Sequence, residues 1–187
     1  MIRPIRVHLW LIFLLGVAMT PLAADLLVLF RRDLRCLIRE IEAFPDDATL
    51  WRCVPGIANS AGNLALHVAG NLRHFMGAVL GGSGYVRQRE LEFTTREGTR
   101  TAVIAQLEAA EHDVAATLES LTEETLAAPF PMAVGGHHVH TRRFLLHLSA
   151  HLAFHLGQAG YLRRALTGHA LSTGPMELKD LADGPEV

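Results

Sequence analysis

The 187-residue chain is poor in cysteine, and it lacks an excess of either charge. Its two cysteines, Cys36 and Cys53, exclude a disulfide-dense scaffold, a Cys-rich zinc module and a CxxC redox site. Its 17 basic residues are outnumbered by 19 acidic ones, so nothing is available to neutralise a phosphate backbone, which argues against a nucleic-acid partner. Charged residues make up only 19% and hydrophobic residues 50%, a balance that excludes a disordered acidic or basic chain. No internal repeat is visible. The length suits one domain with an appendage. What the sequence has in excess is histidine: seven of its 11 histidines fall between His137 and His169.

The first 20 residues are set apart as an N-terminal extension. Arg3 and Arg6 precede an apolar run from Leu9 to Met19, followed by Thr20-Pro21-Leu22-Ala23-Ala24. Three readings are open: a start at Met19 with the preceding residues a miscalled extension, a secretory signal, or a membrane anchor. The first makes the protein cytoplasmic. The others make it exported or membrane-anchored, and the last is the one route to a membrane partner. Without Arg3 and Arg6 the remainder is more acidic.

Residues 21–168 read as four helices. In the first, from about Pro21 to Ala43, Leu26, Phe30, Leu34, Leu37, Ile41 and Phe44 recur every three or four positions. The second starts at Asn59 or Ser60, either a good N-cap, and ends before Gly81; its inward positions are Leu64, His67, Asn71, Phe75 and Ala78. The third runs from about Thr99 to Leu121, with Val103, Leu107, Ala110, Val114, Leu118 and Leu121 on one face. The fourth starts after Thr141 and stops at Thr167-Gly168, and carries a stripe of Phe144, Leu148, His151, His155, Gln158 and Leu162. Four amphipathic helices must bury their stripes against one another, so the fold class is all-α and the architecture a four-helix bundle. The link from Gly81 to Gly98 is long enough to cross the bundle, so the second and third helices need not be antiparallel. Gly135-Gly136 marks a small hairpin in the link before the fourth helix. Residues 169–187 are expected to be a flexible tail. Trp51 is expected to plug a bundle end, Cys36 and Cys53 to be small buried apolar groups, and Arg163 and Arg164 to serve the helix C-terminus.

His151 and His155 stand at i and i+4, which places both rings on one helix face one turn apart, near enough to bind a single ion. His67 occupies an inward position on the second helix. Three imidazoles from two helices, with no fourth protein ligand, compose an open metal site rather than a closed structural one. His147 also stands at i, i+4 with His151, but it lies about 60° off the stripe and ~12 Å along the axis from His155, so it reads as flanking. Asn63 and Asn71, one turn on either side of His67, are candidates to orient its second nitrogen or to line the pocket, and Gln158 is a candidate neighbour of the site, with Gly157 making a tight helix contact. No protein base is apparent. His137, His138 and His140 read as an exposed loop. Alternatives are a non-catalytic bundle that binds a metal or haem through the same residues, and a dimeric structural bundle with hydrogen-bonded core histidines.

His151-Leu-Ala-Phe-His155-Leu-Gly157-Gln158, followed by Tyr161-Leu-Arg-Arg, resembles the signature on the last helix of the DinB-like proteins, a group that includes the YfiT-type proteins and thiol-dependent S-transferases. Ser60-Ala-Gly-Asn-Leu-Ala-Leu-His67-Val resembles their second-helix motif. The likeness spans about Pro21 to Gly168. It implies an up-down-down-up bundle, often a homodimer, with a divalent metal ion held by His67, His151 and His155. Zinc and nickel are the expected metals, and a low-molecular-weight thiol and a small-molecule substrate the expected partners. The implied activity is a metal-dependent thiol transfer or a hydrolysis. The family is largely cytoplasmic, which supports the start at Met19. The chain departs from the pattern after His67, where Asn71 and His74 stand in place of the acidic residue that many relatives carry.

Overall fold

A computed structural model describes residues 19–174 and 178–181. The three readings of the N-terminal segment therefore lie outside the described residues. No helix among the described residues is long and apolar enough to cross a membrane.

Four long helices form the bundle. Helix α1 spans Pro21–Glu42 and is capped by Thr20, whose Oγ1 accepts from the Ala23 amide at 3.2 Å. A short α2 follows (Asp47–Leu50). Helix α3 spans Ala61–Leu72, starts at a Ser60–Asn63 capping box, and continues through Arg73–Leu80 with π-type bonding. Helix α4 is short (Arg89–Thr94), α5 spans Arg100–Ser120, α6 spans Glu123–Ala127, and α7 spans Thr141–Thr167.

Pair contacts fix the directions. Thr117 of α5 donates to the carbonyl of Met76, and Arg73 reaches Gln106 and Asp113, so α3 and α5 are parallel. The Arg100 guanidinium meets the carbonyl at Phe44, so α5 starts where α1 ends. Arg163 pairs with Glu40, so α7 runs alongside α1. Phe75 packs on Phe144 while His67 faces His151, so α3 and α7 are antiparallel. The order is up-down-down-up, and residues 81–98 recross the bundle between the two parallel helices.

The stripes of α1 and α5 are buried as the periodicity predicts; Phe30, Leu34, Leu37, Leu107 and Leu118 are wholly inaccessible. Each such side chain contributes roughly 1.5–3 kcal/mol by its burial. Trp51 closes one end, donating from Nε1 to the Gly98 carbonyl at 2.7 Å. The hairpin is present, with Val134 and His137 exchanging backbone bonds across Gly135-Gly136, both at positive φ as a two-residue turn demands.

Several expectations need correction. On α7 the core stripe runs through Leu145, Leu148, Leu152, Leu156 and Ala159. His155 and His151 lie roughly 60° and 100° round the helix from its centre and are half-buried, and Gln158 is exposed. The aliphatic positions took the core and left the imidazoles at its border. On α3 Phe75 is only half-buried, whereas Asn71, Leu72 and Met76 are buried. Cys53 is exposed while Cys36 is buried. Arg163 is not a surface cation at a helix end; it is buried in an ion pair with Glu40. The first part of the tail docks on that pair: Thr173 Oγ1 donates to Glu40 at 2.7 Å, and Arg163 donates to the Leu171 carbonyl at 2.7 Å. Residues 175–177 and 182–187 of the tail lie outside the described residues.

Candidate metal centre

His67 projects from the middle of α3 toward α7, where His151 and His155 stand one turn apart. The Nε2 atoms of His151 and His155 are 3.0 Å apart, and those of His67 and His151 are 3.4 Å apart. One ring nitrogen from each of the three histidines lies within 4.8 Å of the others, a spacing that one ion can span. The rings meet edge to face, at 79–90° to one another.

The outer nitrogens explain why the inner ones converge as lone pairs. His67 Nδ1 lies 2.9 Å from Glu92 Oε2, and His155 Nδ1 lies 2.8 Å from Gln158 Oε1. A carboxylate and a carboxamide oxygen only accept, so both Nδ1 atoms carry a proton, which in the neutral ring leaves Nε2 with a lone pair. At most one of the three facing nitrogens, that of His151, can then donate to the others. This donor set suits a cation at the point of convergence: neutral imidazoles with outer partners that fix the tautomer.

Glu92 comes from α4, in the crossover, and is buried. Arg87 grips it in two places, at 2.6 Å and 2.7 Å. Burial works to raise the Glu92 pKa, but the hydrogen bonds and charges of Arg87 and His67 outweigh it and hold the carboxyl below its ordinary range. Asn63 anchors the same segment by donating to the carbonyls of Glu92 and Thr95 at 3.0 Å and 2.9 Å. Gly70 lies under the carboxylate, where any Cβ would come within 2.2 Å of Glu92 Oε1. Phe93 covers the His67 ring at 4.8 Å between centroids.

The surroundings favour the neutral forms of His151 and His155. His151 is pushed down to about 4, first by burial and then by the neighbouring His155, His67, His147 and Arg87. Burial also lowers His155, against the opposing hydrogen bond to Gln158. Burial and Arg87 lower His74.

The structure thus brings together His67, His151, His155 and Gln158. Asn63 does not orient His67; Glu92 does, and Asn63 fixes the backbone of Glu92. Asn71 is buried with Oδ1 unpartnered among the described residues and makes no hydrogen bond to His67. His147 is exposed and stacks on Phe144 and His151 outside the three-nitrogen cluster. Gly157 is exposed, and a Cβ there would meet nothing within 4 Å among the described residues, so it makes no tight contact with them. Sequence reasoning missed Glu92 and Arg87. The one available signal was Glu90-Leu91-Glu92-Phe93, a charged and apolar run inside a glycine-punctuated link, too short to show a helical period.

The sequence pattern of the mycothiol-S-transferase family matches residues 25–168, most of the chain and all three clustered histidines. The chain belongs to the mycothiol-S-transferase family. No curated protein matches it. The matched stretch also holds Glu92, Arg87 and Gln158, so the partners of the histidine Nδ1 atoms lie inside the family's span.

Proposed function

We propose that the protein is a divalent-metal-dependent thiol S-transferase, with His67, His151 and His155 as the metal ligands. The observation that carries this reading is the convergence of three imidazole nitrogens whose outer partners, Glu92 and Gln158, leave lone pairs facing one point. A divalent ion held there would supply the positive charge that lowers the pKa of a thiol or water beside it. In the transfer, the thiol sulfur forms a bond to an electrophilic carbon of the acceptor. The bond from that carbon to its leaving group breaks with the pair going to the leaving group, and the thiol proton passes to solvent.

Each side chain has a part in this. Glu92 holds the His67 proton on Nδ1, Gln158 holds that of His155, and burial keeps His151 unprotonated. The family's name makes mycothiol the first co-substrate to test, and the family match favours a thiol over water as the nucleophile. Zinc and nickel suit the three imidazoles. His151 and His155 come from consecutive turns of one helix with Nε2 atoms 3.0 Å apart, which favours a small ion over the opposed faces of a haem. A homodimer is part of the same reading, supported by the exposed Leu146 and Phe154 on α7.

Protein purified without a His tag should contain, or take up, one equivalent of zinc or nickel. It should then transfer a low-molecular-weight thiol to an electrophile, and His67→Ala should lose both properties. Failure to take up either metal would refute the reading.

A further inference from the structure

We infer that the cavity next to the three-histidine centre is the acceptor subsite, and that it takes the uncharged, apolar part of an electrophilic acceptor. This rests on the proposed thiol transfer.

The cavity holds about 470 Å³, within the range of roughly 300–1,000 Å³ common for small-molecule sites. One wall is the loop between α2 and α3. There Val54-Pro55-Gly56-Ile57 forms a turn closed by the Ile57 amide on the Val54 carbonyl at 2.9 Å, with Gly56 at φ 82°. Proline second and a positive-φ glycine third are what a type II turn requires. Arg52 ties the loop to α7 by donating to the Leu166 carbonyl at 2.9 Å, and the Ser60 cap fixes its other end. Leu64 of α3 contributes from the core side, and Tyr161, Leu162 and Ala165 of α7 form the opposite wall.

Two properties of the lining define the ligand. The first is that, among the described residues, no carboxylate, guanidinium, amine or imidazole lines it. A charged group entering would lose hydration with no partner, whereas an apolar group gains by roughly 25 cal/mol per Å² buried. The second is Gln158, which belongs to both sites. Its Oε1 accepts from His155 Nδ1, which leaves the amide N–H groups to donate to an oxygen on the ligand. A neutral acceptor with a carbonyl beside an apolar ring or chain matches both properties.

The test uses N-phenylsuccinimide, a neutral imide with carbonyls beside an apolar ring and no leaving group for a thiol to displace. Added to the metal-loaded full chain, it should shift the backbone amide resonances of Ile57, Leu64, Tyr161 and Ala165. Its 4-carboxyphenyl counterpart should bind at least tenfold more weakly. Ile57→Asp and, as a second variant, Tyr161→Ala should each weaken the neutral compound at least tenfold while metal stoichiometry stays unchanged. Equal binding of the two compounds, shifts confined to another surface, or no binding would overturn the subsite. So would displacement of the compound by the thiol alone, which would give the cavity to the thiol. Because binding is read without turnover, the two ideas fail separately. Thiol transfer without binding here removes only the subsite. Binding here without metal uptake or transfer removes the transferase reading.

Discussion

Glu92 Oε2 stands 2.9 Å from His67 Nδ1, and this contact joins the recrossing segment to the bundle at the candidate centre. An ion pair with Arg87 completes it, and the three groups form one buried unit. Glu92→Gln keeps an acceptor for the His67 proton but removes the charge. Zinc affinity measured by chelator competition should fall about 10–100-fold, as for other outer partners of metal-bound histidines. Glu92→Ala should cost more, with helical circular dichroism retained in both.

The two i, i+4 histidine pairs of α7 should behave differently. His151→Ala should abolish metal binding, whereas His147→Ala should leave close to one equivalent bound, because His147 is exposed and outside the cluster. Elemental analysis of the purified variants distinguishes them; loss of metal in His147→Ala would move the centre one turn along the helix.

Two glycines one site apart should respond oppositely to alanine. At Gly70 the new methyl would overlap Glu92, so the variant should lose roughly 1–3 kcal/mol of stability and bind metal more weakly. At Gly157 the space is open, and alanine in a helix interior should leave stability unchanged or raise it by about 0.5–1 kcal/mol. Urea denaturation of both variants tests the contrast.

Metal-free protein should lose stability as the pH falls from about 6.5 to about 4. His151 titrates near 4 when folded, against its ordinary value of 6.5, so between those values the unfolded chain binds a proton that the folded chain does not. Stability from this group is complete above 6.5 and is lost on acidification toward the folded value. His155 is lowered in the same direction and adds to the slope. Urea midpoints at several pH values should show this, and His151→Leu should flatten the profile.

The bundle and the three clustered histidines could be read from residue spacing: apolar periodicity marks the helices, and an i, i+4 pair facing an inward His67 marks the cluster. Leu26 through Phe44 and Val103 through Leu121 are buried as spaced, and His67, His151 and His155 meet. Glu92 was not legible. Its partner is 25 positions away, in a link where six helical residues leave no period to detect. The α7 stripe was misplaced for a different reason. Histidine and leucine alternate around that helix, and the sequence does not say which set the rest of the bundle will bury, but leucine gains more from leaving water. Spacing alone leaves the role of Asn63 open, because its carboxamide serves a backbone 29 positions away instead of its neighbour on the helix.

Glu40 and Arg163 provide a check on the fold away from the centre. Both are almost inaccessible, and Thr173 completes the Glu40 carboxylate. Glu40→Ala leaves a buried guanidinium uncompensated and should cost about 3–5 kcal/mol in thermal or urea unfolding. Adding Arg163→Leu should recover part of that loss.

The centre also has a direction in time. His67 and Glu92 lie in the first half of the chain, and His151 is 84 positions beyond His67, on the last long helix. A nascent chain still short of residue 151 owns one clustered imidazole and its carboxylate partner but has nothing to set against them. The three-nitrogen cluster arises only when synthesis has passed α7 and that helix has docked. A nonsense or frameshift product ending before α7 would therefore carry no cluster, which makes metal loading a test of whether the chain was finished.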